Sequence, residues 1–159
     1  MPDSSASAQD LDRVAAALAS SLPALNRALD RHVGRDFARP KPPEAQLALL
    51  RLVAQEEGVT VREAADALLM RPNNVSALVS QLTEQGLLER RQDADDKRIA
   101  HLYLTSRAQR ELAEVRRLEG EHLARALQFL TQGEQDALGS AVGALASLTR
   151  HLHAAPAAE

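Results

Sequence analysis

Apolar residues recur at helical spacing over most of this chain. From Leu11 to Val33 they follow one another at steps of three and four residues, which predicts an amphipathic helix with a seam close to that of a coiled coil. Pro23 lies inside this run and should kink the helix or mark a break. The proline-rich segment 39–43 then predicts a helix end followed by a stiff connector.

The next part of the chain predicts three shorter helices. A helix over about 44–57 is followed by the segment 60–63, Thr-Val-Arg-Glu, which has the pattern of a capping box and should open a short helix. Pro72 is well placed as the first residue of another helix, which should run to Gln85 and end at a glycine. Two short helices joined by a turn of about three residues form a helix-turn-helix.

The pattern changes to strands in the segments 87–91 and 99–104, the second of which alternates roughly with period two. The polar and charged segment 92–98 between them predicts a hairpin with a long tip. Because an isolated hairpin is only marginally stable, it should pack on the preceding helices. Helix, turn, helix and hairpin together form a winged helix-turn-helix.

The rest of the chain is again helical in pattern. Thr105 can cap a long helix to about Leu130, and Thr131 with Glu134 forms a second capping box that opens a final helix. The apolar seams of the first and the last two helices exceed what one compact lobe can cover. Helices of this kind at both ends of the chain predict a dimer built from the two termini.

We therefore predict a mainly α fold with a small β-hairpin wing. A winged helix-turn-helix DNA-binding lobe should occupy residues 44–105, and residues 10–38 and 106–152 should form a helical dimerisation region. The small or alanine-rich segments 1–9 and 153–159 are expected to be disordered tails.

Composition excludes several classes of protein. With 159 residues, 45% of them hydrophobic, the chain can bury a core, and the absence of cysteine excludes disulfide scaffolds, thiolate zinc sites and thiol redox switches. No apolar run is long enough to span a bilayer and no secretory leader is recognisable, so we expect a cytoplasmic protein without a membrane partner. The net charge of −3 means that any surface for a polyanion must arise from local placement of cations.

The helix that starts at Pro72 carries the first candidate chemistry. On a helical wheel its apolar residues share one direction, and the opposite side is small and rich in amides. Asparagine can bridge the N6/N7 edge of adenine, while alanine or serine can sit against a thymine methyl or accept a hydrogen bond from a base. The candidate DNA-binding residues of this helix are Asn73, Asn74, Ser76, Ala77 and Ser80.

The hairpin tip carries the second candidate. Arg98 is suited to the minor groove, where negative potential attracts arginine, and Asp96 could hold its guanidinium by a charge-assisted bond. Lys97 lies between these two residues. Arg62, Arg71 and Arg90 are candidates for phosphate contacts, which position a protein on DNA without reading sequence.

These stretches resemble the MarR (multiple antibiotic resistance regulator) family of bacterial transcription factors. The matching segments are 59–65, 74–82 with the following 86–88, and most specifically Asp96-Lys97-Arg98 leading to 102–105, which is similar to the family's D-x-R wing motif. The resemblance implies an obligate dimer through the terminal helices. It also implies small, often phenolic ligands bound between the dimer region and the DNA-binding lobe.

On this basis we expect a sequence-specific DNA-binding transcriptional regulator. It should act as a homodimeric repressor on a pseudo-palindromic site in double-stranded DNA, with possible release by a small-molecule effector and with no cofactor. No effector-binding residue is assigned. Arg27, Arg31 and His32 could face a ligand cleft, but a solvated surface is the simpler interpretation of these residues.

Three alternatives remain open at this stage. An enzyme is disfavoured because no G-x-S-x-G, H-E-x-x-H or phosphate-binding loop is present. A zinc-responsive regulator of the same fold would need some of the residues His32, Glu121, His122, His151 and His153 to converge. A winged helix used only for protein contacts would lack salt-dependent DNA binding.

Overall fold

The computed structural model describes residues 4–154, whose regular elements are six helices and one two-stranded hairpin. The elements, in chain order, are α1 (Ser4–Asp36), α2 (Glu44–Gln55), α3 (Val61–Ala67), α4 (Pro72–Glu84), β1 (Leu88–Gln92), β2 (Ala100–Leu104), α5 (Ser106–Leu127) and α6 (Gln132–Ala154). The predicted class, a mainly α protein with a small hairpin wing, is confirmed.

Helix α1 corrects two expectations. It continues through Pro23 as one helix, so of the predicted kink or break the break is absent. Pro23 is exposed, so water can bond the carbonyl that loses its helical partner, and proline already has a helical φ. The expected tails were drawn too long, because α1 begins at Ser4 and α6 continues to Ala154. The rest of both tails lies outside the described residues.

Local side-chain bonds begin the helices where the sequence predicted. Thr60 and Glu63 form a reciprocal capping box at α3, and Thr131 and Glu134 make the same pair of bonds at the start of α6. The Thr105 side chain accepts from the backbone N–H of Ala108 and so caps α5. Each cap satisfies N–H groups that a helix start otherwise leaves without a partner.

The hairpin is joined to the helices by backbone bonds. Strands β1 and β2 are antiparallel, with Leu88 paired to Leu104 and Gln92 paired to Ala100. Leu102 donates to the carbonyl of Val59 at 3.0 Å and accepts from the N–H of Gly58 at 2.9 Å, so the loop before α3 lies along the free side of β2. The wing therefore has a fixed base on the helix-turn-helix.

Gly58 is favoured at this junction by its backbone conformation and by the side chain that packs against it. Its φ is +84°, and a Cβ there would lie 3.1 Å from the Tyr103 hydroxyl. A left-handed conformation costs a residue with a side chain about 1–2 kcal/mol. Leu69, in the turn between α3 and α4, has a φ of 52° without being glycine.

The buried core lies in the winged lobe and the inner parts of α1 and α5. Helices α1 and α2 and strand β2 pack against α5, where Leu112, Val115 and Leu118 are buried. Of the α1 seam only Val33 is buried, and α6 contributes no buried residue. Among the described residues, no helix is long and apolar enough to cross a membrane.

Candidate nucleic-acid interface

Helix α4 offers a polar face that nothing else in the described chain covers. Val75, Val79 and Leu82 anchor the helix in the core. The sequence-predicted contact residues on its other side are all exposed: Asn73, Asn74, Ser76, Ala77 and Ser80. The Ser80 hydroxyl donates to the carbonyl of Ser76 at 3.0 Å, which leaves its oxygen available as an acceptor.

The wing tip is a turn held by two aspartates. One Asp93 carboxylate oxygen accepts from the backbone N–H groups of Asp95 at 2.8 Å and Asp96 at 3.0 Å. Asp96 in turn accepts from the backbone N–H of Arg98 at 3.0 Å and from its Nε at 3.2 Å. The Arg98 side chain is 92% exposed, so Asp96 orients a guanidinium that otherwise reaches into solvent.

A groove of about 970 Å³ runs between the wing and the helix-turn-helix. It brings together Arg62 of α3, Ser76 of α4, Arg90 of β1 and Arg98 of the tip. Glu63 and Asp66 also line it, so its charge is mixed. Three of the cations predicted from the sequence to meet DNA thus face one concave surface beside the start of α4.

The other cations lie outside this groove. Arg71 occupies the N-cap position of α4 without a side-chain cap bond, and Lys97 is exposed at the tip. Arg91 lies over the ring of Tyr103, with 4.3 Å between its Cζ and the ring centroid, and its terminal nitrogen is 3.1 Å from Glu89. Only one of the adjacent pair Arg90 and Arg91 therefore faces the groove.

His101 is the residue that sequence reasoning missed. It lies on β2, with Nδ1 2.6 Å from the carbonyl oxygen of Gly58 and Nε2 2.9 Å from the second carboxylate oxygen of Asp93. The bond to Asp93, with that to Gly58, raises the pKa of His101 above its usual value. The same bond, together with the N–H groups of Asp96 and Asp95, lowers the pKa of Asp93 to about 2. Only the roughly alternating strand pattern gave any hint that this side chain would be partly enclosed.

Known proteins match both the sequence and this fold. The model of the MarR family matches residues 41–99. The crystal structure of a putative transcriptional regulator from Pseudomonas aeruginosa superposes on this chain with a TM-score of 0.70 and 30% sequence identity. The match covers 89% of this chain and 96% of the other. The chain belongs to the MarR family.

Two further relatives extend the comparison. The HTH-type transcriptional regulator YkoM of Bacillus subtilis is 27% identical over 112 residues, which are 70% of this chain and 73% of YkoM. The crystal structure of Streptococcus pneumoniae FabT in complex with DNA superposes with a TM-score of 0.69 at 17% identity. The match covers 89% of this chain and 99% of FabT, so the two proteins share the fold. MarR-family proteins are transcription factors and not enzymes, so this chain is a DNA-binding transcriptional regulator.

The histidines that a zinc-responsive MarR-family regulator would need converge only in part. His32 of α1 and His122 of α5 have ring centroids 5.1 Å apart, and His122 Nε2 lies 2.9 Å from an Asp36 oxygen without making a hydrogen bond. His151 and His153 instead contact carbonyls of their own helix, α6. Within residues 4–154, no group of three or more histidine or acidic side chains has an arrangement that could hold a metal ion.

His32 and His122 lie at an apolar pocket between α1 and α5. This pocket has a volume of about 460 Å³, and its other lining residues include Leu25, Leu29 and Phe129. Arg27 and Arg31, the other two residues suggested for a ligand cleft, are exposed and do not line it.

Proposed function

We propose that this regulator is a sequence-specific repressor that reads its operator through α4 and the wing. The observation that supports this most directly is the groove between them. It joins the uncovered start of α4 to an exposed Arg98 that is already oriented by Asp96. Base readout needs side chains that can approach an edge closely, and the small and amide residues of α4 permit that approach.

The proposed contacts divide into base readout and positioning. Asn73, Asn74, Ser76, Ala77 and Ser80 would face base edges in the major groove, while Arg98, oriented by Asp96 and flanked by Lys97, would enter the minor groove. Phosphate contacts are assigned to three cations at the edges of this surface, Arg62, Arg71 and Arg90. The lobe over 44–105 would then be the DNA-binding unit.

We also propose that the regulator is a homodimer. Large apolar side chains are exposed on α1, α5 and α6 and in the turn between α5 and α6, including Leu11, Val142 at 64% exposed and Phe129 at 91% exposed. Large exposed apolar patches are typical of an interface. A dimerisation region over 10–38 and 106–152 would cover these side chains. Two-fold symmetry then requires a pseudo-palindromic operator with half-sites about 10 bp apart.

Sedimentation tests the dimer. At micromolar concentration the wild-type chain should sediment as a dimer, whereas Val142→Glu should shift it to the monomer because a charge is placed in the apolar seam. Ser140→Glu is the matched control, because it adds the same charge to an exposed position on the opposite side of α6. A wild-type monomer would contradict the proposal, and so would equal dissociation of both variants.

Release by an effector is the least constrained part of the proposal. The apolar pocket between α1 and α5, with His32, His122 and Arg125 as its polar groups, has a suitable size and lining for a small aromatic acid. Salicylate should raise the thermal midpoint of the wild-type protein and lower its operator affinity. Leu29→Trp, which fills the pocket, should abolish both effects. A ligand response that survives in Leu29→Trp would place the effector elsewhere.

Genomic footprinting with the purified protein tests sequence-specific binding. Enrichment of one pseudo-palindromic motif is the expected result, and a reporter driven by the adjacent promoter should be more active when the gene is deleted. Enrichment that follows base composition alone would contradict specific readout. Loss of reporter activity on deletion would show an activator instead of a repressor.

A further inference from the structure

We infer that His101 is a positioning residue for the wing: its doubly protonated form ties the wing tip to the loop before α3, keeps Arg98 oriented, and makes operator binding weaken at alkaline pH. The inference rests on the proposed function, because it assumes that Arg98 meets DNA. His101 itself is not placed against DNA, and it would act through Asp93 and Asp96.

Both ring nitrogens of His101 face atoms that can only accept. Nδ1 lies 2.6 Å from the carbonyl oxygen of Gly58, and Nε2 lies 2.9 Å from an Asp93 carboxylate oxygen. A carbonyl has no proton to donate, and an ionised carboxylate has none either. A neutral imidazole carries one N–H, so only the imidazolium can satisfy both acceptors.

Deprotonation would break one of the two hydrogen bonds of His101. A neutral ring keeps a single N–H, so the nitrogen that loses its proton presents a lone pair to its acceptor, whichever nitrogen that is. The contact with Asp93 would also lose the positive charge that strengthens it. Asp93 is the residue that organises the tip, so at high pH the link from the tip through His101 to Gly58 is interrupted.

A continuous set of hydrogen bonds leads from His101 to the proposed DNA contact. His101 binds one oxygen of Asp93, and the other oxygen of Asp93 holds the backbone N–H groups of Asp95 and Asp96. The Asp96 side chain then holds the backbone and the guanidinium of Arg98. Interruption of this set at His101 would therefore loosen the turn that presents Arg98.

The charges around His101 favour its protonated form. Asp93 of the wing tip and Glu63 of α3 are the anions that raise its pKa, and Gly58 faces it from the loop with a carbonyl. Arg91 is its cross-strand partner, but that guanidinium lies over Tyr103 and binds Glu89. The wing is therefore held at pH values below the raised pKa of His101, and this restraint disappears as pH rises through that pKa.

The test compares operator affinity at about pH 6 and about pH 9 at fixed salt. For the wild-type protein we expect a roughly three- to tenfold loss at the higher pH, the scale of one charge-assisted bond acting indirectly. His101→Gln, which cannot titrate, should show a flat profile near the wild-type value at about pH 9. His151→Gln is the matched control, because His151 lies on α6 and bonds the carbonyl of Ser147 at 2.8 Å. This control should keep the wild-type profile.

Nitrogen NMR of the histidine rings in the DNA-free protein provides a second measurement. Both nitrogens of His101 should be protonated at about pH 6, with a titration midpoint above the ordinary histidine value of about 6.5. Asp93→Asn should lower that midpoint, because it removes the anion. The NMR result does not depend on DNA, so it remains decisive even if the His101→Gln variant folds poorly.

Three results would overturn the inference while leaving the proposed function intact. One is a titration midpoint of His101 no higher than the ordinary histidine value of about 6.5, and another is an unchanged pH profile in His101→Gln. The third is a slope of log affinity against log salt concentration that falls by about one in His101→Gln, because this would show that the wild-type ring contacts a phosphate directly. If the protein shows no operator preference at any pH, the proposed function fails, and the NMR titration still reports whether the His101–Asp93 bond exists.

Discussion

Removal of the Arg98 guanidinium should weaken operator binding without weakening the fold. The side chain is 92% exposed, and its one ion pair, Nε to Asp96 at 3.2 Å, is of the exposed kind that contributes little to stability. The full effect of Arg98→Ala should therefore appear in DNA binding. One good contact in a groove contributes about 1–3 kcal/mol, which is a loss of roughly fivefold to 150-fold in affinity.

Asp96 allows the same idea to be tested by a double-mutant cycle. Asp96→Ala leaves the guanidinium in place but removes the acceptor for its Nε and for the Arg98 backbone N–H. It should therefore cost less than Arg98→Ala. In the Arg98→Ala background the further effect of Asp96→Ala should fall below about 0.5 kcal/mol, because there is no side chain left to orient.

Fluorescence anisotropy with operator and scrambled duplexes at fixed salt measures both variants, and thermal unfolding checks the fold. Arg91→Ala is the matched control: it removes an arginine from the same hairpin, but one that lies over Tyr103 and binds Glu89. It should change operator and scrambled affinities alike. Wild-type operator affinity in Arg98→Ala would remove the wing from the mechanism, and fully additive effects in the cycle would refute the orienting role of Asp96.

Four other substitutions test α4, α3 with its cap, and the turn between these helices. Asn74→Ala should reduce the ratio of operator affinity to random-DNA affinity, with little change in the slope of log affinity against log salt concentration. Arg62→Ala should lower that slope by about one and weaken binding to all sequences alike. Identical behaviour of the two variants in a salt titration would contradict the division between base readout and phosphate contact. Thr60→Ala should lower the free energy of unfolding in urea by about 1 kcal/mol through loss of the α3 cap. An unchanged free energy of unfolding would show that the bond from the backbone N–H of residue 60 to Glu63 is enough to hold the start of α3. Leu69→Asn should raise stability by up to about 1 kcal/mol, since φ is 52° and the side chain is 68% exposed, and a decrease would show that Leu69 packs usefully in the turn.

Local features of the interface were predictable from the sequence because they depend on near neighbours in the chain. A capping box joins residues three apart, so Thr60 with Glu63 could be recognised without a structure. The same holds for Asp96 and Arg98, which are two apart. The separation of α4 into a buried and an exposed side follows from helical periodicity alone, and the side predicted to be exposed is exposed.

Other features were decided by segments that meet only in the folded molecule. The sequence predicted a kink or a break at Pro23, whereas α1 continues through that residue as one helix, with an exposure that local propensity does not report. His101 belongs to an ordinary strand in the sequence, and its Gly58 partner is 43 residues away. The groove also needs α3, α4 and the hairpin to be packed together before Arg62 and Arg98 can face one surface. Helical caps and periodicity act over three or four residues, so the sequence displays them directly, whereas contacts across tens of residues arise only when burial of the shared core brings those segments together.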